Sequence, residues 1–77
     1  MNIIRQIDVF DNLTENLVEE IMITTINLEN FRTRFKIEPY DPEMYKPYEI
    51  TEFTADLFPD IRFDFNKFSY YLAAYQQ

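Results

Sequence analysis

The chain has 77 residues, a net charge of −7 from 14 acidic and 7 basic side chains, and no histidine, cysteine, tryptophan or glycine. A single domain over residues 1–77 accounts for this length. The missing residue types exclude nucleophile–base pairs that use His or Cys and glycine-rich phosphate loops. The negative charge disfavours direct binding of nucleic acid or of an anionic membrane.

The first half of the chain has the pattern of a β-hairpin. Residues 3–10 and 17–24 are rich in branched and aromatic side chains, which favour strands. The turn between them, residues 11–16, contains one Asp and two Asn residues. These two residue types tolerate the left-handed positions that glycine otherwise supplies. We therefore predict two antiparallel strands joined by this turn.

A helix is predicted after the hairpin. Asn27 is a suitable N-cap, because its side chain can accept a hydrogen bond from a first-turn amide. Leu28, Phe31 and Phe35 follow at helical spacing and form one apolar stripe. These features place the helix at about residues 28–36.

A proline-rich segment and a second short helix follow. Three prolines in residues 37–48 predict an ordered irregular loop, because each proline fixes its own φ and restrains the residue before it. A second helix is expected at about residues 52–58, capped by Thr51 and ended before Pro59, with Phe53 on its inner face.

The last part of the chain, residues 66–77, fits either a strand or a helix. Phe68, Tyr70 and Leu72 alternate as in a strand, whereas Phe68, Leu72 and Tyr75 also fit a helical stripe. We favour a strand over residues 68–75 because Phe and Tyr dominate. The predicted fold class is therefore α+β: a small antiparallel sheet, made of the hairpin and this strand, with two short helices packed on one face.

The side chains give little support for catalysis or metal binding. Paired carboxylates alone can serve a glycosidase, but among 14 acids some pairs lie close by chance, and a domain this small has no room for a deep sugar cleft. Asp41 with Glu43, and Asp60 with Asp64, offer oxygen ligands to a hard cation, but the glycine of a calcium loop is absent. We expect a protein that is not an enzyme and holds no cofactor or metal.

An acidic segment from residue 38 to residue 64 is the most informative feature. It holds eight carboxylates against two cations, a net charge of −6, and three tyrosines are interleaved with its first part. Acids steer a basic partner, and tyrosines supply rigid contact area. The candidate partner-binding residues are Tyr40, Asp41, Glu43, Tyr45, Tyr48, Glu49, Glu52, Asp56 and Asp60. The alternatives are a solvated face, or contact through the end that carries Tyr70, Tyr71 and Tyr75.

Short motifs run through the whole chain: Phe10-Asp11, Thr14-Glu15, Asp41-Pro42, Met44-Tyr45, Ile50-Thr51, Phe63-Asp64-Phe65 and Tyr70-Tyr71-Leu72. They resemble a family of small, largely uncharacterised bacterial domains with the pattern Phe-Asp-x-x-Thr-Glu, Asp-Pro-x-Met-Tyr and Ile-Thr. In size, acidity and composition the chain is also similar to immunity proteins of contact-dependent growth inhibition and other polymorphic toxin systems. That resemblance implies a cytoplasmic protein that binds one basic toxin domain, often a nuclease, and blocks its active site.

The expected function is therefore that of an immunity or antitoxin-like protein that neutralises a cognate basic toxin. A cytoplasmic location agrees with the absence of cysteine, of a signal-peptide pattern and of an apolar run near the roughly 20 residues that span a membrane. One alternative is a structural or regulatory module that self-assembles, with the acidic surface serving solubility only. A second alternative is a mimic of nucleic acid that acts on a DNA-binding protein.

Overall fold

The computed structural model describes residues 3–24, 26–37 and 39–76, and its fold is mostly β. The elements in chain order are strand β1 (Ile3–Asp11), strand β2 (Leu17–Ile23), helix α1 (Leu28–Phe35), strand β3 (Tyr48–Ile50), a 3₁₀ helix (Ala55–Leu57) and strand β4 (Phe68–Gln76). All four strands form one antiparallel sheet in the order β2-β1-β4-β3.

The predicted hairpin is confirmed, but a different residue supplies its left-handed position. β1 pairs antiparallel with β2. Oδ1 of Asp11 accepts hydrogen bonds from the amides of Leu13 (2.7 Å) and Thr14 (3.1 Å), which shapes the turn. The residue with positive φ is Glu15, at 63°, and not one of the Asp or Asn residues. The side chain of Asp11 thus acts as a hydrogen-bond acceptor in the turn, and the left-handed conformation falls on Glu15.

The strand predicted near the end of the chain is also confirmed. β4 pairs antiparallel with β1, with Ile7 opposite Leu72 and Val9 opposite Tyr70. β1 and β4 are the two central strands, because β2 and β3 flank them. This pairing gives the hairpin the third strand that it needs, since an isolated hairpin is marginally stable in water.

One face of the sheet carries the core. Ile7 and Val9 of β1 and Leu72 of β4 are buried together with Phe31 of α1 and Phe58. The rings of Phe31 and Phe58 meet edge to face at 5.5 Å between centroids, an arrangement that adds favourable electrostatics to the burial. α1 therefore lies on this face and covers the inward-pointing side chains of the strands.

Helix α1 begins and ends close to its predicted bounds. Oδ1 of Asn27 accepts a hydrogen bond from the amide of Asn30 (3.1 Å), as an N-cap does. Lys36 has φ 53° and ends the helix in the left-handed conformation, in the place where glycine is usual.

The second predicted helix is wrong, and so is the α+β fold class with two packed helices. Its range holds successive turns with hydrogen bonds from residue i+3 to residue i, such as Thr54 N to Thr51 O (3.1 Å) and Leu57 N to Thr54 O (3.1 Å), and only the 3₁₀ helix is regular. The hydroxyls of Thr51 and Thr54 bond nearby backbone amides, which stabilises these turns. Phe53, expected on the inner face, is 77% exposed.

A further difference lies at the end of the predicted loop. Tyr48 and Ile50 pair with Leu72 and Tyr70 of β4, so the sheet gains a short fourth strand. Pro47 stands just before this edge strand, a position that proline tolerates. Across the part of the chain that the structure describes, no helix is both long enough and apolar enough to cross a membrane.

Candidate functional site

The loop of residues 40–47 is organised around the buried carboxylate of Asp41. This carboxylate accepts hydrogen bonds from the Tyr48 hydroxyl (2.6 Å) and from the amides of Tyr45 (2.9 Å) and Lys46 (3.1 Å). The residue is only 6% exposed. Burial alone raises the pKa of the Asp41 carboxyl, but these hydrogen bonds outweigh burial and hold the pKa below its ordinary value.

Two arginines attach the 40–47 loop to the rest of the fold. Arg5 of β1 donates to the carbonyl oxygens of Met44 (3.0 Å) and Glu43 (2.7 Å), and Arg32 of α1 donates to that of Pro42 (3.3 Å). The side chain of Met44 is buried in the core, and its backbone has φ 55°. The loop is therefore held by charge-assisted hydrogen bonds and by an apolar anchor.

Three of the predicted partner-binding residues are engaged inside the molecule. Asp41 and Tyr48 bond each other, as described above. Asp56 forms a two-point ion pair with Arg34, at 2.6 and 2.9 Å. That hydrogen bond holds the pKa of the Asp56 carboxyl below its ordinary value. Asp41 and Tyr48 thus hold their own loop, which weakens their candidacy for contact with a partner, whereas the Asp56 pair lies at the surface, where an ion pair contributes little to stability.

The remaining predicted residues are exposed but lie in different places. Glu49 is in β3, at one edge of the sheet. Asp60 lies beside β2, at the other edge. Tyr40 is 70% exposed, and the ammonium of Lys46 lies 4.4 Å from its ring centroid. Glu43 and Glu52 are also exposed. The structure thus spreads the acidic segment around the fold.

A groove is present on the face of the sheet that is opposite the core; we call this face the open face. Alternation along the strands places Gln6 and Asp8 of β1, and Tyr71 and Tyr75 of β4, on this face. The groove has a volume of about 680 Å³, and Tyr45 from the 40–47 loop is among its lining residues. We call it the open-face groove.

The open-face groove combines negative charge with aromatic surface. Its lining includes the carboxylates of Asp8, Asp11 and Glu15 and the rings of Phe10, Tyr45, Tyr71 and Tyr75. The rings of Phe10 and Tyr71 meet edge to face at 5.7 Å. Neither lysine nor arginine is found among the described residues that line the groove. Anionic groups and ring faces both attract a cation, so the groove suits a positively charged group of a ligand.

The innermost acid of the groove is Asp8, which is only 6% exposed. Its carboxylate accepts hydrogen bonds from the Tyr75 hydroxyl (2.5 Å) and the Gln6 amide (2.6 Å), and the same amide group donates to Glu20 (2.7 Å). Both hydrogen-bond partners of Asp8 are neutral, and no ion pair to Asp8 is present in the described part of the chain. The bond to Asp8, together with burial, raises the pKa of the Tyr75 hydroxyl above its ordinary value.

Sequence reasoning found part of this groove. It singled out Tyr45, and it named the end that carries Tyr70, Tyr71 and Tyr75 as the next place to look. Of these three, Tyr70 is buried in the core and does not line the groove. Sequence reasoning missed Asp8, although a signal was present: Gln6 and Asp8 are polar residues that alternate with the apolar Ile7 and Val9 in the middle of the strand. Among the residues described, no three or more Asp or Glu side chains come together to hold a metal ion.

The comparisons with known proteins identify a family. The family model described as "Domain of unknown function (DUF7683)" matches residues 4–73. The chain belongs to this family. The matched range contains most of the groove and excludes Tyr75. No curated protein and no solved structure matches the chain. Because the family description assigns no activity, the resemblance to immunity proteins stays a prediction.

Proposed function

We propose that this protein is a non-catalytic, immunity-like inhibitor that binds a basic protein, a cognate toxin domain, through the open-face groove. The observation that carries the proposal is the composition of the groove: three carboxylates and four aromatic rings without a cation among the described lining residues. A surface of this kind is complementary to the lysines and arginines of a basic partner.

The burial of Asp8 supports the proposal further. A buried carboxylate is costly unless hydrogen bonds or opposite charges compensate it. Here Tyr75 and Gln6 compensate it with neutral hydrogen bonds. An arginine or lysine of the partner that entered the groove would add the missing opposite charge, and the bound partner would exclude water from the pair.

The aromatic residues supply the other half of the proposed contact. Tyr45 is 52% exposed, and it belongs to a loop that Asp41 and Arg5 hold in place. A tyrosine on a fixed loop loses little conformational entropy on binding and adds a large contact area. The exposed acids outside the groove, Glu43, Glu49 and Glu52, would act at longer range and speed the encounter.

Self-assembly through the open-face groove is the weaker alternative. Each copy carries a net charge of −7, and the groove lining is itself acidic. Two such surfaces repel each other, whereas a basic partner is attracted. We also propose that the complex forms in the cytoplasm, where a nuclease toxin would act.

The test uses the basic protein encoded next to this chain's gene and measures association and dissociation rates at two salt concentrations. Tyr45→Ala should speed dissociation by roughly thirtyfold, which corresponds to about 2 kcal/mol. Tyr40→Ala is the matched control, because Tyr40 is an exposed tyrosine of the same loop that does not line the groove.

A second variant separates steering from contact. Reversal of charge at Glu43, Glu49 and Glu52 together should slow association and flatten its salt dependence, with little change in dissociation. The proposal is contradicted if Tyr45→Ala and Tyr40→Ala behave alike, or if no basic protein is encoded nearby.

A further inference from the structure

Strand β2 is an edge of the sheet, and its outer side has no strand partner among the described residues. Its sequence, Leu-Val-Glu-Glu-Ile-Met-Ile, contains no proline and no lysine, so the side chains that protect this edge from pairing with a like-charged strand are Glu19 and Glu20. Near the start of β2 there is a β-bulge: Glu19 lies opposite Val9 and Leu17 opposite Phe10, so Val18 between them is an extra residue. From Glu19 to Ile23 the strand is regular and able to accept another strand.

A crevice with both apolar and polar lining runs beside this edge, on the core side of the sheet. It has a volume of about 430 Å³, and its lining includes Ile21 and Ile23 of β2 and Leu57 and Ile61 from the segment around the 3₁₀ helix. Asp60 also lines it. The crevice thus offers apolar contact with a negative charge alongside.

The open-face side of β2 has a different chemistry. Glu20 and Met22 lie opposite Asp8 and Gln6 of β1 and therefore point to the open face. Both are exposed. A chain laid along β2 would place every second side chain towards the crevice and the others beside Glu20 and Met22.

We propose that β2 binds an extended segment of a basic partner protein, which adds to the sheet as a fifth strand. Backbone hydrogen bonds to β2 would give affinity, and the crevice would select apolar side chains at alternate positions. The positions between them would carry lysine or arginine, facing Glu20. This site is separate from the open-face groove, whose lining contains no residue of β2.

A basic segment is favoured over a second copy of the chain by charge. Antiparallel self-pairing centred on Glu20 would bring the two Glu20 side chains opposite each other, and like charges directly opposite are destabilising. Each copy would also bring Glu19, Asp60 and a net charge of −7 to the contact. A lysine opposite Glu20 reverses the sign of that interaction.

The experiment titrates the protein with a synthetic peptide of alternating valine and lysine. The control is a peptide of the same length and charge in which the central valine is proline, which cannot complete a strand ladder. Binding of the first peptide should slow hydrogen exchange of the β2 amides. Glu20→Lys should weaken binding by roughly tenfold, whereas Glu29→Lys, the same charge change on α1, should change it less than about twofold.

Each other outcome overturns the proposal. Equal binding of the proline peptide, or equal effects of Glu20→Lys and Glu29→Lys, would mean general charge attraction without strand addition. Absence of binding would remove the basic strand as the occupant. A concentration-dependent dimer whose β2 amides are already protected would assign this edge to a second copy.

Discussion

Replacement of Asp41 by asparagine tests whether one buried carboxylate holds the 40–47 loop in place. Asparagine has nearly the same shape but no charge, and its amide nitrogen cannot accept a hydrogen bond. In the native protein both carboxylate oxygens accept bonds: Oδ1 from the Tyr45 amide, and Oδ2 from the Lys46 amide and the Tyr48 hydroxyl. In the variant at least one of these donors would face another donor.

The expected loss of stability follows from these three bonds. A hydrogen bond to a charged group contributes about 1.5–3 kcal/mol and one between neutral groups about 0.5–1.5 kcal/mol. Each bond should lose on the order of 1 kcal/mol when its acceptor becomes neutral, and because the three bonds share one carboxylate these losses do not add fully, so the free energy of unfolding should fall by about 2–3 kcal/mol. For a domain of this size, that change lowers the melting temperature by roughly 10–20 °C.

The loss should also depend on pH. The pKa of the Asp41 carboxyl is lower in the folded protein than in the unfolded chain. Its charge therefore stabilises the fold fully above the unfolded pKa of about 3.9, and this contribution disappears as pH falls through the folded pKa. The difference between wild type and Asp41→Asn should be largest at neutral pH and shrink in acid.

Urea unfolding followed by circular dichroism, at neutral pH and in acid, measures this difference. Glu43→Gln is the matched control, because it removes the same charge from an exposed side chain of the same loop and should change stability by less than about 0.5 kcal/mol. Equal stability of the two variants at neutral pH, or an Asp41→Asn difference that grows in acid, would contradict this role of the Asp41 carboxylate.

Two further substitutions test the core and the open face. Ile7→Ala, at a side chain with 0% exposure, should cost about 2–5 kcal/mol in urea unfolding, whereas Ile3→Ala on the exposed start of the same strand should cost much less; equal losses would contradict the burial. Tyr75→Phe should remove a late step from an ultraviolet titration of the tyrosines, because its bond to Asp8 raises the pKa of that hydroxyl above its ordinary value. Persistence of that step would assign it to another tyrosine.

The sequence predicted the elements whose formation depends on nearby residues, through strand alternation, helix capping and a run of aromatic side chains. The alternation around Ile7 and Val9, the cap at Asn27 and the aromatic run after Phe68 each correspond to an observed element. The helix predicted over residues 52–58 was wrong because the spacing of the apolar side chains there is helical, whereas the hydroxyls of Thr51 and Thr54 accept hydrogen bonds that favour turns. β3 has only three residues and forms because it pairs with β4. Its own short sequence does not reveal that pairing, so the strand could not be predicted.

The candidate site was predicted in part for a similar reason. Tyr45 was recognised because it is a tyrosine in an acidic segment, and it does line the groove. Sequence cannot show that Asp41 turns inward to bond its own loop, since an exposed and an inward carboxylate have the same local pattern. Asp8 and Tyr75 meet across 67 positions of the chain, and only the folded sheet brings them together.

The central position of β1 and β4 has a consequence for how the chain is made. β1 pairs with β4 along its whole length, from Ile3 opposite Gln76 to Asp11 opposite Phe68. Until residues 68–76 have left the ribosome, β1 has only β2 as a neighbour, and Ile7 and Val9 stay uncovered. At roughly 5–20 residues per second, a nascent chain spends several seconds in that state. Folding is thus delayed until β4 has left the ribosome, and contacts so distant in sequence form slowly. The newly made chain is most exposed to proteases and chaperones during that interval.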